Sequence, residues 1–179
     1  MAAATWLLFV LGLLGAADVA LFHMFAHGIR HHPGARKELV AHALRGPTYA
    51  ALFVALPNLA LEGGWFWGLL ALLAFDLGIS IADFAMEGES RRDLGGLPPG
   101  EYVLHTMMAM LFGAMVASIL FAAGNRAWLP ARVAWEPVPV PDWLRILLGI
   151  MAVGVLASGI QDAVAAVRLA GPGASRRRD

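Results

Sequence analysis

Five long apolar stretches constrain this chain more than any other feature of its sequence. They cover residues 5–27, 39–61, 64–87, 101–123 and 142–168. A membrane-spanning helix needs about 20 consecutive, mostly apolar residues, and each of these stretches is long enough. The sequence therefore predicts an all-α, polytopic integral membrane bundle with five transmembrane helices.

The composition agrees with this class. Hydrophobic residues make up 59% of the chain and charged residues only 15%, whereas soluble domains carry about 25% charge. Basic and acidic residues balance at 13 each, which gives no indication of a nucleic-acid partner. The chain has no cysteine, so disulfides and thiolate metal sites are excluded. We expect a single transmembrane domain over residues 1–170 and a short basic cytoplasmic tail over residues 171–179.

Positive charge predicts the orientation of the bundle. Ten of the 13 Lys and Arg residues fall on one predicted side, and cytoplasmic loops carry the excess of such residues. We therefore expect a bacterial-type inner membrane, with the N-terminus outside and the C-terminus in the cytoplasm. All six tryptophans lie at the predicted outer boundary, where indole rings anchor. Pro57 and Asn58 interrupt the second stretch and predict a kink. The alternative is a four-span bundle in which residues 39–61 form an interfacial or re-entrant segment.

Histidine and acidic residues occur in pairs at one end of four consecutive predicted helices. The spacing within each pair is i, i+4, which places both side chains on one helical face. The pairs are His23 with His27, Glu38 with His42, Asp83 with Glu87, and Glu101 with His105. An ionisable group in a span costs about 2.5–3.5 kcal/mol and persists where it faces the bundle interior and a partner. Imidazole and carboxylate together bind iron or zinc. These eight residues are predicted to hold two divalent metal ions, iron or zinc.

Three further aspartates are candidates for supporting roles around this site. Asp76 precedes Asp83 by seven residues and so shares its face about 10 Å deeper in the bundle. Asp18 precedes His23 by five residues, and α-helical spacing points it off the histidine stripe. Asp162 orients a ligand histidine or pairs with an arginine. Each is predicted to be a second-shell or proton-conducting group, or else simply to be hydrogen-bonded.

Each residue pair also has a simpler interpretation. Glu38 and Glu101 lie at predicted helix N-termini, where a carboxylate interacts favourably with the helix dipole. Asp83 and Glu87 could pair with Arg91, Arg92 or Arg45. Four facing pairs at one depth favour the metal interpretation over these separate explanations.

The paired residues resemble two groups of proteins. The motifs "HMFAH" (His23, His27) and "EYVLH" (Glu101, His105) resemble the membrane-bound histidine-box hydroxylases and desaturases, which oxidise lipids with two irons at the cytoplasmic face. The mixed faces "ELVAH" (Glu38, His42) and "EYVLH" resemble the four-helix di-iron carboxylate proteins, whose ligands project inward from four helices. The resemblance covers residues 23–105 and implies an oxidising di-iron centre. Its spacing differs from the ExxH of the second group.

Three functions follow from these patterns. The first is a metal-dependent membrane oxidoreductase or hydrolase that acts on a membrane lipid or a hydrophobic small molecule. The second is a b-type haem cytochrome, with two facing histidines such as His27 and His105 as axial ligands. The third is a non-catalytic membrane subunit or transporter that uses Asp18 and Asp76. All three leave open an assembly with further copies of the chain or with a larger membrane complex.

Overall fold

The fold consists of five long α-helices in a computed structural model that describes residues 1–26, 28–90, 92, 96 and 98–170. The side chains of residues 24–26, 87, 89 and 90 are not among those described. The helices are α1 (Ala2–Asp18), α2 (Arg36–Asn58), α3 (Gly64–Ser90), α4 (Pro99–Ala122) and α5 (Asp142–Arg168). All five are long and apolar enough to cross a membrane. The mostly helical fold with five candidate spans is therefore confirmed.

The connection between α1 and α2 departs from α-helical geometry. The α1 helix continues directly into a π-helical segment, Val19–Ala26, in which hydrogen bonds run from i to i+5. Two short 3₁₀ turns follow, Ile29–His31 and Pro33–Ala35. Gly28 permits the reversal between the π-helix and the first turn because it adopts a left-handed conformation with φ +55°.

A small β-sheet at the opposite end of the bundle corrects the all-α prediction. Strand β1 (Leu59–Glu62) pairs antiparallel with strand β2 (Arg132–Trp135). The second apolar stretch, predicted to be helical to residue 61, therefore ends as a helix at Asn58.

The predicted kink at Pro57 is instead the end of α2. The carbonyls of Pro57 and Asn58 accept the N–H groups of Val138 and Glu136, at 3.0 and 2.9 Å. These carbonyls lie in the last turn of α2, where no intrahelical donor remains. The returning chain thus satisfies the helix end and continues the pairing of β1 with β2.

Helix packing holds the ends of the bundle in register. The most extensive contacts are those of α2 with α5 and of α1 with α4. At the α2–α5 crossing, a Cβ added to Gly46 would lie 3.0 Å from the Cα of Gly159, so the two backbones touch. The apolar core includes the fully buried Leu8, Leu52 and Leu144. Because each of these comes from a different helix, the core fixes the relative positions of α1, α2 and α5.

Candidate metal centre

Buried acidic and histidine side chains converge where α1 and α3 end and where α2 and α4 begin, which we call the polar end of the bundle. Two overlapping groups there place their ligand atoms within 4.8 Å of one another. The four-residue group is Asp18, His23, Glu101 and His105, and the three-residue group is His23, Glu38 and His42. Residues from α1, the π-helix, α2 and α4 therefore meet at one place, and the groups could hold a metal ion.

The π-helix explains how Asp18 joins this centre. Five residues of an α-helix rotate a side chain by about 140°, which would separate Asp18 from His23. In the i to i+5 geometry of residues 19–26 the two share a face, and His23 Nε2 lies 3.4 Å from Asp18 Oδ2. The expectation that Asp18 points off the histidine stripe was wrong because it assumed α-helical spacing.

The four-residue group is compact and fully buried. Asp18 Oδ2 also lies 3.3 Å from His105 Nε2, and His23 Nε2 lies 3.5 Å from Glu101 Oε1. Glu101 is 0% exposed and the other three side chains are at most 10% exposed. The ring of His105 stacks against Phe84 at a centroid distance of 5.2 Å, so its outer face is apolar.

The three-residue group lies beside it on α2. His23 Nε2 is 3.9 Å from Glu38 Oε1, and the His23 and His42 rings stack at 4.6 Å between centroids. Asp83 approaches this group from α3, with its Oδ2 3.7 Å from His42 Nε2. The pairs of α2 and α4 thus both lie on the side of their helix that faces His23, and Asp83 contacts His42 from outside the group.

Several polar atoms in the centre lack ordinary partners. Among the described residues, His23 Nδ1, His23 Nε2, Asp18 Oδ1 and Asp83 Oδ1 are buried and make no hydrogen bond. A buried polar atom without a partner costs about 1–3 kcal/mol. His23 is the clearest case because both of its ring nitrogens are affected. Unsatisfied imidazole nitrogens surrounded by carboxylates are the arrangement that a bound cation would satisfy.

The charges of the buried residues also favour a bound cation. The centre brings together four carboxylates and three imidazoles among the described residues. The carboxylates are those of Asp18, Glu38, Asp83 and Glu101, and each is buried. Buried charges persist when they are paired or bound to metals. Two divalent cations would neutralise four carboxylates, and the imidazoles would then bind as neutral ligands.

Asp76 lies deeper in the bundle and has its own partners. Its Oδ1 accepts from Arg45 Nε at 3.3 Å, and its Oδ2 accepts from the Tyr49 hydroxyl at 3.1 Å. Arg45 NH1 also lies 4.0 Å from Asp83 Oδ2. A series of polar side-chain contacts therefore connects Tyr49 to His42, through Asp76, Arg45 and Asp83. Arg45 therefore contacts both Asp76 and Asp83 on the face of α3 that they are predicted to share.

Asp162 is held by an arginine, one of the two roles expected for it. Arg30 donates from Nε to Asp162 Oδ1 at 2.6 Å, from NH1 to Gln161 Oε1 at 2.8 Å and from NH2 to Ser158 Oγ at 3.1 Å. These contacts tie the 3₁₀ turn after the π-helix to α5. Asp162 thereby helps to fix the connection that carries His23.

The structure brings together the predicted metal-ligand residues whose side chains it describes. His27 and the side chain of Glu87 lie outside the described residues. Among the others, His23, Glu38, His42, Glu101 and His105 belong to the two groups, and Asp83 contacts His42. Sequence reasoning did not anticipate Asp18 as a member of the four-residue group. Its spacing to His23 gave no signal because a π-helix has no recognised sequence signature here.

Comparisons with protein-family models, with curated proteins and with solved structures gave no match. The resemblance to histidine-box enzymes and di-iron carboxylate proteins therefore remains a similarity of chemical pattern.

Proposed function

We propose that this protein is an integral membrane metalloenzyme that binds two divalent cations, iron or zinc, at its polar end. The single observation that carries the proposal is His23, a buried histidine with both ring nitrogens unsatisfied among the described residues and carboxylates within 3.5 Å. An imidazole in that position is suited to bind a metal ion. The two overlapping groups supply enough ligands for two cations.

The surroundings of the centre support a lipid-like substrate. Its residues come from helices that are long and apolar enough to cross a membrane, and exposed apolar side chains such as Leu21, Phe84 and Tyr102 lie close to it in sequence. A substrate that reaches this depth must itself be amphiphilic. Zinc would supply activated water for hydrolysis, and iron would supply O₂ chemistry for hydroxylation or desaturation. The carboxylates and imidazoles of the centre would hold either ion.

Metal analysis is the direct test. Protein purified in detergent, without chelator and without nickel affinity resin, is expected to contain about two equivalents of iron or zinc. Glu101→Gln should lower that content, whereas Glu136→Gln, an exposed carboxylate on the strand side, should not. Equal metal content in the wild type and Glu101→Gln, or metal no higher than in a blank preparation, would overturn the proposal.

The reaction class is tested on cellular lipids. Lipids from cells that express the wild type are compared by mass spectrometry with lipids from cells that express His105→Ala. A species that gains an oxygen atom, loses hydrogen or loses its headgroup only with the wild type would identify the reaction. Identical lipid profiles from metal-loaded wild type and variant would exclude a lipid substrate from the host.

The b-type haem alternative has less support in the geometry. His27 lies outside the described residues, and the histidines at hand, His23 and His105, both lie against Asp18 Oδ2. A porphyrin between these imidazoles would have to displace the carboxylate. A Soret band in the purified protein would favour haem over the metal pair.

The transporter alternative relied on Asp18 and Asp76 as ion-carrying residues. Asp76 is paired with Arg45 and Tyr49, and Asp18 belongs to the four-residue group. These contacts favour fixed roles for both aspartates. Uptake of metal into vesicles that contain the purified protein would favour transport instead.

The orientation is part of the proposal and is tested by labelling. Because the chain has no cysteine, single cysteines can be introduced at Asn125 and Ser175. A membrane-impermeant maleimide should label Asn125→Cys in whole cells and Ser175→Cys only after lysis. The reverse pattern would place the polar end outside.

A further inference from the structure

The two groups at the polar end offer different numbers of protein ligands. The four-residue group provides Asp18, His23, Glu101 and His105, all buried, whereas the three-residue group provides His23, Glu38 and the half-buried His42. Four protein ligands close the coordination shell of a tetrahedral metal ion, and three leave a position for water or substrate. The two groups therefore differ in whether a bound ion would keep a coordination position for water or substrate.

We infer that the two cations have different roles: the ion in the four-residue group is closed and structural, and the ion in the three-residue group carries the open position where substrate binds. This inference rests on the proposed function and assigns the reacting end of the centre to α2. His42 is the least buried ligand of the two groups, with 13% of its side chain exposed. The most exposed ligand of the two groups therefore lies on the side of the open ion.

His23 belongs to both groups and lies where the two ion positions meet. Nδ1 and Nε2 are both buried without a hydrogen-bond partner in the described part of the chain. Its Nε2 lies within 3.5 Å of Asp18 and Glu101, the carboxylates of the four-residue group. The same Nε2 also lies 3.9 Å from Glu38 Oε1 of the three-residue group, so the His23 ring lies between the two positions.

The surroundings of His42, in the three-residue group, also differ from those of His105, in the four-residue group. His42 is backed by Asp83, which Arg45 links to Asp76. A carboxylate behind a ligand histidine fixes the ring and raises its basicity. His105 is backed by the ring of Phe84 instead. We therefore assign Asp83 as a positioning residue for the open ion, acting through His42.

Cobalt substitution separates the two ions. Metal-free protein in detergent is titrated with Co²⁺, and azide is then added as a small anion that binds only at an open position. We expect two equivalents of Co²⁺, of which one changes its visible spectrum with azide and one does not. His42→Ala should remove the azide-responsive ion, and His105→Ala should remove the other. His31→Ala, an exposed histidine on the neighbouring turn, should behave as wild type.

A second variant tests the inference with a smaller structural change, so that unfolding does not explain its effect. Asp83→Asn keeps the size of the side chain and should weaken the azide-responsive ion by about 10–100-fold while leaving the other in place. Two ions that both respond to azide, or both fail to respond, would overturn the inference and leave the proposed function standing. Failure to bind Co²⁺ at all would overturn the proposed function as well. Equal weakening of both ions by Asp83→Asn would remove Asp83 from its assigned role.

Discussion

Asp18→Asn gives the sharpest test of the metal centre because it changes charge and ligand strength with little change in shape. The amide can still accept from His105 Nε2, which lies 3.3 Å from the carboxylate, so we expect the metal-free protein to fold normally. Structural zinc sites bind with about 10–16 kcal/mol, so one ligand of four accounts for about 2.5–4 kcal/mol. Since 1.4 kcal/mol is a tenfold change, the affinity should fall by about 100-fold or more.

The loss of affinity can be read as a loss of stabilisation by metal. At a metal concentration of about 1,000 times the wild-type Kd, binding should stabilise the wild type by about 4 kcal/mol. A variant that binds 100-fold more weakly should gain only about 1.4 kcal/mol at that concentration. The assay is reversible unfolding in detergent, followed by tryptophan fluorescence with and without metal.

The matched control is Asp142→Asn, at the opposite end of the bundle, where the aspartate side chain is 84% exposed. This variant should keep the full wild-type stabilisation by metal. If Asp18→Asn and Asp142→Asn gain the same stabilisation, Asp18 is not a ligand and the four-residue group does not hold an ion.

Three further predictions address the scaffold and the ligands. Gly46→Ala should lower the free energy of unfolding by about 1–3 kcal/mol, because its Cβ would lie 3.0 Å from the Cα of Gly159. Gly113→Ala, with open space around the new methyl, should not; denaturation in detergent compares the two. Arg30→Met should destabilise the bundle by about 1–3 kcal/mol by leaving the buried Asp162 unpaired, and retention of wild-type stability would contradict this. Acidification should weaken metal binding, because protons compete with the cation for imidazole and carboxylate ligands; a calorimetric titration that shows no pH dependence would contradict this ligand set.

The helices and most of the centre could be predicted because both depend on simple periodicities. Long, mostly apolar stretches identify the helices, because each is long enough to cross a membrane. The i, i+4 spacing of Glu38 with His42 and of Glu101 with His105 identifies the faces that meet. Those two pairs lie in regular α-helices, where the periodicity holds.

The remaining features depend on contacts between distant parts of the chain. Strand β1 lies at the end of an apolar stretch that is predicted to be helical, and its pairing with β2 links residues 70 to 76 positions apart. Propensity gives no signal for such a short strand, because its stability comes from its partner. The contact of Arg45 with Asp76 and Asp83 likewise depends on how α2 and α3 pack, which spacing within one helix does not specify.

The π-helix is the element that connects fold to function in this protein. An α-helix is the more favourable geometry for the sequence VALFHMFA, and π-helical turns occur mostly as short bulges at functional sites. In the α-helical register His23 would face the other helices without Asp18. In the π-helical register both side chains enter the same group, together with Glu101 and His105. The less favourable backbone geometry is therefore offset by the ligand set that it completes, and a bound cation would supply the free energy that keeps residues 19–26 in this register.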